Sequence, residues 1–229
     1  MAIYAIGDVH LSLSCDKPMN IFKGWDNYVE RLESNWQKLV TPEDTVIING
    51  DVSWAMTLDE AYEDFKFLNN LNGTKIISKG NHDYWWNTAN KMNIFLKENN
   101  FDTIKILHNN AYKIGDTAIA GTRGWFFDDD TENKDLVLSR ECGRLQMSID
   151  CAKKLGGEIV VFLHYPPVGI TKDCNPIIDV LKENDIKRCY YGHLHGGAIK
   201  SAINEEKYGI KFRLISADFL EFCPYFIEK

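Results

Sequence analysis

The amino-acid sequence predicts an α/β fold built on mixed sheet. Three observations predict it: short apolar runs recur along the chain, segments of helical spacing separate them, and the later part carries hairpin signals. Runs of that kind suit strands covered on both faces, with helices supplying the cover. The chain has 229 residues, 45% hydrophobic and 26% charged, which is enough to bury a sizeable core and is expected to form one domain over residues 1–229.

Taken in order, Ile3–Ile6 reads as a strand ending in Gly7. Trp25, Tyr28, Val29, Leu32, Trp36 and Leu39 then recur on one helical face, and Pro42 closes the stretch. Thr45–Ile48 is a β-branched run ending in Asn49-Gly50. Ala61, Tyr62, Phe65, Leu68 and Leu71 mark a second amphipathic helix, with Thr57 as its N-cap. Lys75–Ser78 is another short strand, again followed by glycine, and a third helix falls near Thr88–Lys97. Tyr112–Ile114 and Thr117–Ala120 flank a Gly115-Asp116 turn and read as a hairpin. A long helix near Asp135–Leu155 leads into the apolar run Ile159–Leu163. A helix around Ile177–Glu183 precedes the strand Arg188–Tyr191, and Ala198–Ser216 reads as two antiparallel strands. No repeat, low-complexity tract or Pro/Ser linker marks a boundary.

Charge narrows the function. The net charge is -7, so no general basic surface exists to hold a polyanion, which argues against nucleic acid as a partner. The N-terminal MAIYAIGDVH has the character of a strand, so neither a signal peptide nor a membrane span is expected. The six cysteines are scattered without a CxxC pair and read as reduced, mostly buried residues of a cytoplasmic protein.

The strand ends carry the chemistry. Each buried run is followed by glycine or by a loop of ligand-type side chains: Gly7-Asp8-Val9-His10, Gly50-Asp51, Gly80-Asn81-His82-Asp83, His164-Tyr165-Pro166-Pro167 and Gly192-His193-Leu194-His195. In open α/β folds, sites assemble at the carboxyl ends of strands. Asp8 and His10, two residues apart at a strand end, are expected to project to one side, as are His193 and His195. A carboxylate such as Asp51 has two oxygens and can bridge two ions, while Asn81 adds a neutral carbonyl oxygen. Mixed oxygen and nitrogen donors without thiolate suit Mn, Fe, Zn or Co rather than copper(I) or an iron–sulfur cluster. Any one of these blocks alone is more often a turn or a surface pair. Five in this order, each after a strand, reverse that judgement.

The set resembles the calcineurin-like metallophosphoesterase superfamily, whose pattern is D-x-H, G-D, G-N-H-[DE], a lone H, then G-H-x-H. The blocks from Asp8 to His195 follow it, and the chain looks most like the small stand-alone bacterial and archaeal members. The resemblance implies a four-layer α-β-β-α sandwich with two mixed sheets and metals at the strand ends. It implies two metal ions, divalent or trivalent, with Mn, Fe or Zn foremost. Asp8, His10 and His195 would lie on one ion, Asn81, His164 and His193 on the other, and Asp51 between them. One departure is Val52-Ser53-Trp54 after Asp51, where many members place a further Asp or an Arg; this weakens any analogy to the protein phosphatase branch.

The implied reaction is hydrolysis of a small phosphate ester by a metal-activated water. His82 is expected at the leaving oxygen as general acid or hydrogen-bond donor, with Asp83 orienting it or, alternatively, capping a helix. Arg123 reads equally as a bidentate contact to substrate phosphate and as a loop salt bridge. Trp54, Trp85, Trp86 and Trp125 follow site loops closely; core packing is the first reading for them and an aromatic rim the second. Asp128-Asp129-Asp130 reads as a solvated acidic loop. Two other functions compete. A non-catalytic scaffold on the same fold is disfavoured because every ligand position and His82 remain. Amide or deamination chemistry is disfavoured because zinc deaminases place a Glu beside their ligand.

Overall fold

The computed structural model describes residues 1–125 and 134–229, and the acidic run Asp128–Asp130 lies outside the described residues. In chain order the elements are β1 (Ile3–Ile6), α1 (Tyr28–Leu39), β2 (Thr45–Asn49), α2 (Tyr62–Asn70), β3 (Thr74–Ser78), α3 (Ala89–Glu98) and β4 (Ile104–Ile106). Then follow β5 (Tyr112–Ile114), β6 (Thr117–Thr122), α4 (Lys134–Leu155), β7 (Glu158–Leu163), α5 (Asn175–Glu183), β8 (Arg188–Tyr191), β9 (Glu206–Lys207), β10 (Ile210–Leu214) and β11 (Tyr225–Glu228). Short 3-10 helices cover Met19–Ile21 and Gly196–Ser201. The chain forms two compact units, one from Met1–Ile106 with Ile215–Lys229 and one from Leu107–Leu214.

The first unit is a five-stranded sheet in the order β11-β1-β2-β3-β4, parallel throughout except for β11 against β1. Its central strand β2 is buried along its whole length, as the β-branched run requires. α1 buries Tyr28, Leu32 and Trp36, one residue per turn, and α2 buries Phe65 and Leu68. These side chains join Ile6, Val46, Ile48 and Ile77 in one core, and each fully buried aliphatic contributes about 1.5–3 kcal/mol.

The second unit is a six-stranded sheet in the order β5-β6-β7-β8-β10-β9. β6, β7, β8 and β10 run parallel, and β5 and β9 are antiparallel edges. α4 buries Leu145, Ile149 and Ala152, and its Ser148 hydroxyl accepts from Gly121 N at 2.9 Å. The predicted class therefore stands: mixed α/β, with two mixed sheets flanked by helices.

Several boundaries differ from the sequence reading. β4 and β11 were not foreseen, because three- and four-residue edge strands show too little alternation to register. Residues Gly196–Ser201 are helical rather than extended, so the antiparallel pair β9–β10 begins later than expected. Thr57 caps the turn ahead of α2, accepting Glu60 N at 3.2 Å, while the helix itself starts after Ala61. All six cysteines are free, but only Cys174 and Cys189 are buried. Among the described residues, no helix is long and apolar enough to cross a membrane.

Lys75 is a buried cation at the start of β3. Its Nζ donates to Leu71 O and Gly73 O at 2.7 Å and to Asn69 O at 3.4 Å, at the end of α2, where carbonyls carry the negative pole of the helix. Replacing Lys75 with Met leaves those carbonyls without this donor. Urea denaturation is expected to show a loss of about 1–3 kcal/mol, and an unchanged midpoint would mean the carbonyls find other donors.

Candidate metal centre

In the first unit the ligand loops follow β1, β2 and β3 at their carboxyl ends. The parallel pairing of β1 and β2 carries on past both strands, with Asp8 N donating to Gly50 O at 2.9 Å, His10 N to Asp51 O at 3.0 Å and Leu11 N to Val52 O at 2.9 Å. This places Asp8 and His10 alongside Asp51, and all three side chains are buried. His10 Nε2 lies 3.8 Å from Asp51 Oδ2, a gap that a single ion with bonds near ~2.1 Å can span. The direction of these side chains does not come from strand alternation. Residues 8 and 10 lie beyond β1 with φ of 58° and 44°, and Asp51 has φ 49°. Non-glycine residues enter that left-handed region at a cost of roughly 1–2 kcal/mol each, and such strain gathers at functional sites.

Asp83 holds the arrangement together. It is buried, and its carboxylate accepts from Gly80 N at 2.7 Å, Val52 N at 2.8 Å, Asp51 N at 2.9 Å, Trp85 Nε1 at 3.1 Å and Ser53 N at 3.3 Å. It thus ties the Asp51 loop to the turn carrying Asn81 and His82. The cap of α3 is Thr88, which accepts Lys91 N, so Asp83 is not a helix cap. His82 donates its backbone N–H to Asp51 Oδ1 at 2.8 Å, and its ring lies 5.8 Å from that of His10. Tyr84 Oη is 3.4 Å from His82 Nδ1. Asn81 follows Gly80 and is half-buried.

Trp54 packs against both imidazoles, stacked on His10 at 4.9 Å and tilted against His82 at 4.6 Å. Trp85 is a core residue, edge-on to Phe65, and Trp86 leans on it at 5.3 Å. The core reading therefore holds for Trp85 and, at the edge of the same core, for Trp54 and Trp86; Trp125 is also buried.

In the second unit His164 follows β7, and His193 and His195 follow β8. Gly192 N donates to His164 O at 3.0 Å, which joins the two loops. The rings of His164 and His193 are 5.3 Å apart, with Tyr165 edge-on to His193 at 4.6 Å. His164 is fully buried, whereas His193 and His195 are half-buried. His193 has φ 71°, and His195 is extended at φ -123° as it caps the 3-10 helix, so alternation does not set this pair either. Arg123 lies with its guanidinium 5.9 Å from the rings of both Trp125 and Tyr165, and its carbonyl accepts Tyr165 N at 2.9 Å.

The donor chemistry fits metal ions. The first unit offers two buried carboxylates, an imidazole and an amide oxygen, and the second offers three imidazoles. Sequence reasoning missed Ser53, Asp64 and Tyr28 as supports of these loops. A signal existed for Asp64: it falls at i+3 from Ala61 and one before Phe65, on the buried face of its helix.

The family model for calcineurin-like phosphoesterases matches residues 1–197, which include every ligand block. The chain belongs to that family. Solved structures of similar fold include a protein of unknown function from Aquifex aeolicus, at 19% identity and TM-score 0.54, covering 98% of this chain and 95% of that one. A phosphopantetheinyl hydrolase from Mycobacterium tuberculosis aligns at 12% identity and TM-score 0.57, over 100% of this chain and 95% of its own. Comparison with curated proteins returns no significant match.

Gly80 is required by close approach. A methyl at its Cβ position would lie 2.0 Å from Asp51 Oδ1 and 2.2 Å from Asp51 N. Gly80→Ala is expected to displace Asp51, lowering stability by about 1–3 kcal/mol and stripping most of the bound Mn while circular dichroism stays native-like. Retention of full Mn content by this variant would show that Asp51 is not a ligand.

Proposed function

We propose that this protein hydrolyses a small phosphate ester with two metal ions, the substrate being otherwise unassigned. In this reading Asp8, His10 and His195 would hold one ion, Asn81, His164 and His193 the other, with Asp51 between them. The observation that carries it is the strained, adjacent pair of His10 and Asp51 in a chain whose family match spans every ligand block. Bound ions of the Mn, Fe or Zn type would supply Lewis acidity toward phosphoryl oxygens and acidify a water toward neutral pH.

The chain's own residues do the rest. His82, whose Nδ1 lies 3.4 Å from Tyr84 Oη, would donate to the leaving oxygen from Nε2. Asp83 keeps His82 in place by holding the Gly80 amide of its own turn and the Asp51 amide of the neighbouring loop. Arg123, laid against Trp125 and Tyr165, offers a guanidinium fork to the phosphate. A net charge of -7 favours a compact phosphate over a long polyanion. Six free thiols fit a reducing cytoplasm.

Purified protein is expected to contain metal, to hydrolyse members of a mono- and diester panel with added Mn, and to lose activity to chelators. His82→Ala is expected to lower kcat roughly 10²–10⁴-fold with metal content unchanged; loss of metal would make His82 a ligand instead. Arg123→Ala is expected to raise KM by about 10–100-fold with a smaller change in kcat, as loss of a charged hydrogen-bond partner does. Full metal occupancy without hydrolysis of any ester would favour a binding protein on this fold.

A further inference from the structure

Asp64 is a buried acid that the reaction leaves without a task. It lies on α2, fully enclosed, and its two oxygens serve different loops. Oδ1 accepts Leu13 N at 2.8 Å, and Oδ2 accepts the Ser53 hydroxyl. Ser53 Oγ in turn accepts Ala55 N at 3.0 Å. Leu13 stands three residues after His10, and Ser53 stands two after Asp51.

Between those anchor points the two loops run side by side. His10 N meets Asp51 O, Leu11 N meets Val52 O, and Trp54 N returns to Leu11 O at 2.9 Å. Tyr28 on α1 fastens the same stretch, its hydroxyl donating to His10 O at 2.9 Å. An amide at position 64 would present one acceptor oxygen where two donors converge from two loops, so the carboxylate is matched to the task. Burial pushes the Asp64 carboxyl above its ordinary value, against the pull of the Ser53 and Leu13 donors. An acid whose only role was to cover α2 would sit on the solvent face, as Glu63 does in its exposed pair with Lys66.

We propose that Asp64 is a positioning residue for the metal centre, bracing the His10 loop against the Asp51 loop and so setting the separation of an imidazole and a carboxylate that share one ion. This rests on the metal reading above. Without the brace the loops slide, and the ion that needs both donors binds less tightly. Once loaded, the protein keeps its chemistry, because Asp64 touches neither substrate nor ion.

The test is Mn titration of the metal-free full-length protein by calorimetry, with activity followed against Mn concentration. Asp64→Asn and Ser53→Ala are compared with Glu63→Gln, an exposed control on the same helix. Both brace variants are expected to weaken Mn binding by roughly 10–100-fold, as loss of a residue supporting a ligand does. Their kcat at saturating Mn should return to within a few-fold of wild type, and Glu63→Gln should match wild type throughout. The double variant should fall short of the product of the two single effects, since both cut one brace. A lower Tm with unchanged Mn affinity in Asp64→Asn would overturn the proposal and leave Asp64 a packing acid. Should Asp64→Asn fail to fold, Ser53→Ala decides alone, because it leaves the Asp64–Leu13 bond in place; unchanged affinity there overturns the brace. Wild-type protein that takes up no Mn would overturn the metal reading and this inference together, whereas equal Mn binding by wild type and both variants overturns only the brace.

Discussion

The carboxylate of Asp83 takes five N–H groups inside the first unit, and the local site depends on that gathering of donors. Four of the five are backbone amides, from Gly80 and from three consecutive residues beginning at Asp51. Consecutive amides point at one acceptor only when the chain turns sharply, and the left-handed φ of Asp51 is that turn. The magnitudes show why it persists. A left-handed non-glycine residue costs roughly 1–2 kcal/mol. A hydrogen bond to a charged acceptor contributes about 1.5–3 kcal/mol, so two or three such bonds outweigh the strain. The backbone that carries the Asp51 side chain is thereby fixed by protein donors and acceptors alone.

The same economy of means appears in both units. Each presents its ligand-type side chains where parallel strands end, β1, β2 and β3 in one and β7 and β8 in the other. Parallel strands are joined by long crossovers rather than tight hairpins, so the loops at their ends are free to adopt turns that a hairpin would forbid. Left-handed residues at Asp8, His10, Asp51 and His193 use that freedom. In the second unit Gly192 N meets His164 O, so adjacent strand ends are again linked by a backbone bond next to the ligand positions.

Much of this was legible in the sequence because it is local. Runs such as Thr45–Ile48 and Ile159–Leu163 declare buried strands, and the Asn49-Gly50 or His164 that follows marks the loop. Thr88 announces its helix by capping it. What was not legible depends on distant partners. β11 exists because the chain returns to pair Tyr225 with Ala5, a registration that nothing in Tyr225–Glu228 encodes. β4 is three residues long and becomes a strand only beside β3. The alternation argument for Asp8 and His10 named residues that the structure brings alongside Asp51, but for a reason the backbone does not use, since both have left the strand before their side chains are aimed.

Asp64 shows the same limit at the site. An acid within an amphipathic helix reads as solvent-facing, and only the positions of Ala61, Phe65 and Leu68 place it inward. Its partners lie 51 and 11 residues away in sequence, at Leu13 and Ser53. A buried carboxylate persists where donors are supplied to both oxygens, because an unsatisfied one would be expelled or neutralised. Asp83 and Asp64 therefore act on the Asp51 loop from two directions, one gathering its amides and the other holding the Ser53 hydroxyl. Two buried acids converging on three residues spend more polar burial than a structural turn requires. That excess is what the proposed brace would require, a turn held to within a fraction of an ångström of a neighbouring imidazole.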